Sequence, residues 1–217
     1  MKITWLGHSC VVLSGSRTVL IDPFVPEGEI RADPDVVAVT HGHADHMGCV
    51  ADFSAPVVAI NEVAKYLRSR GNEAEAMNIG GTIEVKGVQF TMTPAIHSSW
   101  IEEAGPGFNG GGAAGFVVRM DGKSVYHAGD TALFSDMGLI GRLYHPDAAL
   151  LPIGGRYTMG PAEAMVAAQM VGAPVVIPIH YNTWPVIAQD AREFARALER
   201  TTDCKVRLLE PGESTTL

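Results

Sequence analysis

Apolar, β-rich stretches recur over 2–6, 9–14 and 17–21, split by Gly7 and Gly15-Ser16. Short runs of this kind bounded by turn residues read as strands, so the chain begins with short hairpin strands. The same pattern predicts hairpins over 82–85 and 88–93, around Lys86-Gly87, and over 113–120 and 123–127, around Asp121-Gly122. Four other runs are apolar throughout: Val36–Val39, Val57–Ile60, Ala148–Ile153 and Val175–Ile179. Such runs suit strands covered on both faces.

Helical signals follow these buried runs. Asn61 is a candidate cap for 62–70, with Val63 and Leu67 on one face and Gly71 as the stop. Gly160-Pro161 opens 161–171, with proline suited to the first helical position. Asp190 and Glu193 form an acidic capping box for 190–200, where Ala191, Phe194, Ala195 and Leu198 make the apolar stripe. Hairpin strands then β-α units, twice over, predict an α/β fold: two mixed β-sheets face to face with helices on the outer faces, an αβ/βα sandwich. The whole chain, 1–217, reads as one domain.

Composition narrows the partners. The chain is 47% hydrophobic and 18% charged, which is globular, and its net charge of −8 opposes nucleic acid and anionic membranes. A small-molecule substrate is expected, with no nucleic-acid partner. The alternating start of the chain, interrupted by His8 and Ser9, reads as a strand, and no run of about 20 apolar residues offers a membrane span. Three widely spaced cysteines (Cys10, Cys49, Cys204) argue against a disulfide framework and for a reducing cytoplasm. The apolar segment Leu133–Leu139 is a candidate contact for a homo-oligomer.

Chemistry concentrates after the buried run Val36–Val39, in Thr40-His41-Gly42-His43-Ala44-Asp45-His46. Four potential ligands fall within six residues at a strand's carboxyl end, and the small Gly42 and Ala44 leave the imidazoles room to converge. Histidine with carboxylate is a metal-binding set. Three more polar residues end apolar strands, where burial is costly without a partner: His97, Asp130 and His180.

The set His41, His43, Asp45, His46, His97, Asp130 and His180 resembles the dinuclear metallo-β-lactamase superfamily. The resemblance implies the fold named above and two divalent cations: zinc foremost, with manganese, iron or nickel as alternatives. It implies that His41, His43 and His97 hold one ion, that Asp45, His46 and His180 hold the other, and that Asp130 bridges them. Ions about 3.5–4 Å apart would share a bridging hydroxide, with Asp45 and Asp130 as the catalytic carboxylates. Segments such as Trp5-Leu6-Gly7-His8-Ser9, Ile21-Asp22-Pro23 and Tyr126-His127-Ala128-Gly129-Asp130-Thr131 resemble the UlaG-like branch, which includes a lactonase and many small metal-dependent hydrolases.

The implied activity is hydrolysis of an ester-like bond, a lactone or a phosphoester. The alternatives are a phosphodiesterase acting on nucleotides or nucleic acid, and a non-hydrolytic metal-binding protein. Relatives with redox di-iron centres carry an acidic residue where this chain has His43.

Around the ligands, Asp22 is a candidate partner for a ligand imidazole or a turn residue before Pro23. His8 faces the metals or packs in the core. Tyr181 and Asn182 are candidate substrate contacts. His127 is open between site and core, and His145 reads as a surface or helix-end residue. Cys49 reads as a core thiol. Arg156 and Tyr157 precede a helix start and are candidates for an anionic group. The glycine-rich stretch Glu102–Gly112 reads equally as a lid or as a disordered hairpin tip.

Overall fold

The computed structural model describes residues 1–102 and 106–217. The first half contains β1 (Lys2–Gly7), β2 (Cys10–Ser14), β3 (Thr18–Ile21), β4 (Val36–Val39), α1 (Ala44–Met47), β5 (Val57–Ile60), α2 (Asn61–Ser69) and β6 (Ala74–Met77). The second begins with β7 (Thr82–Val85), β8 (Val88–Pro94), β9 (Trp100–Ile101), β10 (Phe108–Asn109), β11 (Ala114–Met120) and β12 (Lys123–His127). It continues through α3 (Met137–Tyr144), β13 (Ala148–Pro152), α4 (Pro161–Val171), β14 (Val175–Ile179), α5 (Ala191–Thr201), β15 (Lys205–Val206) and β16 (Ser214–Thr216).

Two seven-stranded sheets result, in the orders β16-β1-β2-β3-β4-β5-β6 and β15-β14-β13-β12-β11-β8-β7. Each is mixed. Pairing is antiparallel from β16 to β3 and parallel from β3 to β6, and the second sheet repeats this division with β12–β15 parallel. The hairpins turn where the dipeptides predict. Lys86-Gly87 and Asp121-Gly122 all have positive φ, the backbone of a two-residue turn that matches strand twist. One apolar core takes Ile3, Leu13 and Leu20 from the first sheet and Phe90, Phe116 and Tyr126 from the second. This is the αβ/βα sandwich the pattern predicts.

Helix ends follow their capping chemistry in part: Asp190 caps α5, but the Glu193 side chain does not return a bond to complete the predicted box. Asp190 Oδ1 accepts from the N–H groups of Arg192 (2.9 Å) and Glu193 (3.0 Å), and Glu163 Oε2 accepts from Gly160 N at 3.1 Å. Asn61, however, is the first residue of α2 rather than its cap; Ile60 precedes the helix and no side chain caps it. The segment 133–139 runs into a helix the pattern did not predict. Met137 and Ile140 of α3 are buried, while Leu139 and Leu143 face out. Gly138 and Gly141 dilute the helical signal there. Gly141 is needed for close approach, because a Cβ at that position would lie 2.2 Å from the Val171 carbonyl oxygen of α4.

The sheets' strand ends set the site. β1, β3, β4, β8, β12 and β14 run out toward the segments that carry His8, Asp22, the 41–46 loop, His97, Asp130 and His180. Two backbone hydrogen bonds tie the sheets together at this rim: Ala114 N to Thr40 O at 3.1 Å, and His180 N to His8 O at 2.8 Å.

Candidate metal centre

The chain leaves β4 and enters the one-turn helix α1, which offers Asp45 and His46, while His41 and His43 lie in the turn before it. His41 and His46 are fully buried; His43 and Asp45 are partly open. His97, Asp130 and His180 arrive from the second sheet. Donor atoms fall into three groups, each spanning no more than 4.8 Å: His41, His43 and His97; His41, His46 and Asp130; and His8, Asp45, His46 and His180. All seven predicted ligands therefore meet in one cluster, which His8 joins. Asp130 is central. Its Oδ2 lies 3.0 Å from His180 Nε2, 3.4 Å from His46 Nε2 and 3.7 Å from His97 Nε2.

This donor set fits divalent cations. His46 Nε2 and Asp130 Oδ1 are buried with no hydrogen-bond partner among the described residues, a costly state for polar atoms unless a ligand completes it. His41 Nε2 and His43 Nδ1 converge to 2.9 Å. Burial pushes His41 well below its ordinary pKa and lowers His43 and His97 as well, favouring neutral rings with lone pairs to offer. Burial works to raise the Asp130 carboxyl, but His46 and His180 outweigh it and hold it well below the usual range. At His46 burial favours the neutral ring, yet Asp130 and Asp22 prevail and raise it well above normal. Positive charge is thus strongly favoured in the middle of the cluster.

A family model described as "Beta-lactamase superfamily domain" matches residues 17–181. The chain belongs to the metallo-β-lactamase superfamily. It is 68% identical over 212 residues to a UPF0173 metal-dependent hydrolase of Methanospirillum hungatei, covering 98% of this chain and 97% of the relative. A UPF0173 metal-dependent hydrolase of Methanoculleus marisnigri is 65% identical over 214 residues, covering 99% and 96%. Among solved structures it resembles Igni18, a metallo hydrolase from the archaeon Ignicoccus hospitalis, with TM-score 0.89 and 36% identity over 99% of this chain and 97% of the other. The protein is a metal-dependent hydrolase of this superfamily.

Around the hydrolase's cluster, Asp22 is wholly buried and fully engaged. Its Oδ2 lies 2.7 Å from His46 Nδ1 and accepts from Thr40 Oγ1 at 2.8 Å, while Oδ1 accepts from Thr40 N at 2.8 Å. A carboxylate only accepts, so His46 donates from Nδ1 and its Nε2 faces Asp130. Ser98 Oγ meets His43 Nε2 at 3.1 Å, and Ser99 Oγ accepts from Gly42 N at 3.0 Å; neither serine is set up as a nucleophile. Asp45 is lowered to about 2: burial opposes this, but the hydrogen bond from His8 prevails.

Other predicted residues lie elsewhere. Tyr181 is buried with its ring stacked on Trp5 at 5.4 Å, and Asn182 Oδ1 accepts from Gln189 N at 2.8 Å. Both line a cavity of about 770 Å³ that also touches His8. His127 is a core residue whose Nδ1 accepts from Gly129 N, so that Nε2 donates to the Ser9 carbonyl at 3.0 Å. Cys49 Sγ bonds the Pro23 carbonyl, and His145 ends α3 in a left-handed conformation. Arg156 lies over the exposed Tyr157 ring. Within the 102–112 stretch Phe108–Asn109 form β10, which pairs with β9 just before it, while residues 103–105 lie outside the described residues. Sequence reasoning missed Thr40 and Thr183. Thr40's place between a buried strand and a ligand was a usable signal, whereas Thr183 had none beyond following His180.

Proposed function

We propose that the cluster holds two divalent cations and that the protein hydrolyses an ester-like bond, a lactone or a phosphoester, in a small molecule. His41, His43 and His97 would hold one ion and Asp45, His46 and His180 the other, with Asp130 between them. When bound, such a pair lowers the pKa of a shared water toward neutrality and polarises the substrate oxygen. Asp22 keeps the His46 proton on Nδ1, so Nε2 is the ligating atom. Asp130 offers one oxygen among three imidazoles and a second, unpartnered one. Asp45 sits at the open side, its side chain 27% exposed, where it can orient an incoming nucleophile. Zinc suits this nitrogen and oxygen set, with manganese, iron or nickel as alternatives.

The observation that carries this reading is the convergence of seven donors around two buried, unpartnered polar atoms. The acidic balance favours small substrates, and three free cysteines suit a cytoplasmic setting. The reading agrees with the UlaG-like resemblance. Among the described residues no helix is long and apolar enough to cross a membrane. Elemental analysis should find two ions per chain, one of them lost in His43→Ala. A panel of lactones, phosphomonoesters and phosphodiesters should show turnover of one ester class only with metal bound. A chain that binds no metal, or a His43→Ala variant with full occupancy and activity, would overturn the assignment.

A further inference from the structure

His8 is 1% exposed and sits within an aromatic enclosure. Its ring centroid is 4.1 Å from that of His180, 4.9 Å from Trp184 and 5.5 Å from Phe24. Its backbone is fixed from two sides, because its carbonyl accepts from Trp5 Nε1 at 2.9 Å and from His180 N at 2.8 Å. The two ring nitrogens have separate partners: Nδ1 lies 2.8 Å from Thr183 Oγ1, and Nε2 lies 3.1 Å from Asp45 Oδ2.

These partners assign the protons. A carboxylate only accepts, so His8 Nε2 carries hydrogen and donates to Asp45. In the neutral ring Nδ1 then accepts, and the Thr183 hydroxyl donates to it. Both ring nitrogens are taken by protein side chains, whereas His180 keeps Nδ1 unpartnered. His8 thus lies among the donors without being one of them. Asp45, for its part, makes this side-chain hydrogen bond through Oδ2 and not Oδ1.

We propose that His8 is a positioning residue. By donating from Nε2 to one oxygen of Asp45, and being held in that tautomer by Thr183, it fixes the carboxylate's orientation and leaves Oδ1 free to ligate. This rests on the two-ion reading and adds to it the means by which the exposed member of the second ligand set is pre-aligned.

The test compares wild type, His8→Ala, His8→Gln and Thr183→Val by zinc titration against a chromophoric chelator, with circular dichroism as the check on folding. His8→Ala should weaken the second zinc equivalent by about 10–100-fold while leaving the first nearly unchanged. His8→Gln, whose amide can still donate, should recover most of that loss, and Thr183→Val should lose only a few-fold. Unchanged affinity in His8→Ala, or an equal loss in the alanine and glutamine variants, would overturn the proposal. Should His8→Ala fail to fold, Thr183→Val carries the test, and unchanged second-site affinity there would count against the relay. Wild type taking up fewer than two zinc ions would sink the two-ion reading instead. In that event crystal structures of metal-free wild type and His8→Gln decide, and an Asp45 carboxylate disordered beside an intact His8 would overturn the positioning role.

Discussion

His8 and His180 face one another across the seam between the sheets, joined by a 2.8 Å backbone hydrogen bond, and both have positive φ, at 51° and 53°. Left-handed backbone costs an L-residue roughly 1–2 kcal/mol. Asp22 and Asn182, at 49° and 59°, share it. The remaining non-glycine examples among the described residues, Lys86, Asp121 and His145, are at hairpin turns and a helix end. His8 itself sits in the two-residue turn between β1 and β2, while Asp22, His180 and Asn182 lie just past strand ends, where such backbone helps aim side chains into the rim.

Asp22→Asn tests the support of His46. An amide in place of the carboxylate either presents N–H to His46 Nδ1 or loses the Thr40 bonds. Metal affinity should fall about 10–100-fold, measured by competition with a chelator, and the metal-free protein should also unfold at lower temperature.

Removing metal should destabilise the fold. An ion that binds only the native state adds about 4 kcal/mol when free metal is a thousandfold above Kd. For a chain of this size that is roughly 8–16 °C in Tm. Differential scanning calorimetry with chelator and then with added zinc should show the loss and its recovery.

Gly141→Ala should destabilise without touching the site. The new Cβ would press on the Val171 carbonyl, forcing α3 from α4 at a cost of about 1–3 kcal/mol. Urea unfolding should read the loss, while metal content stays at the wild-type level.

Asp147 gives a pH signature. Burial works to raise its carboxyl, but hydrogen bonds from Lys123 Nζ (2.9 Å) and Ser124 N (2.8 Å) outweigh it and the net direction is down. Its stabilisation is therefore complete above the unfolded value of about 3.9 and fades as pH falls through the lower folded value. The group is 31% exposed, so less than about 1 kcal/mol is at stake. Asp147→Asn should be less stable than wild type at pH 7, with the gap in urea midpoints closing as pH falls below about 4.

The sandwich was legible because its information is local. Hairpins announced themselves through Lys86-Gly87 and Asp121-Gly122, and the candidate ligands of 41–46 crowd one turn. His97, Asp130 and His180 were legible as polar residues ending apolar strands, which burial penalises without partners. What escaped depends on tertiary contact. Helix α3 hides behind two glycines, of which Gly141 serves its approach to α4, and β16 is a polar triplet whose only reason to extend is pairing with β1. The Thr183–His8–Asp45 chain joins residues up to 175 positions apart, which no spacing rule connects.

Four of the clustered donors ride on the loop after β4, while the other three belong to the opposite sheet. A cation pair there would act as a rivet through two plates, fastened at the rim where the halves already touch through Ala114 and His180. Prising the halves apart would have to break coordination bonds first, so the catalytic centre would also be the molecule's mechanical fastening.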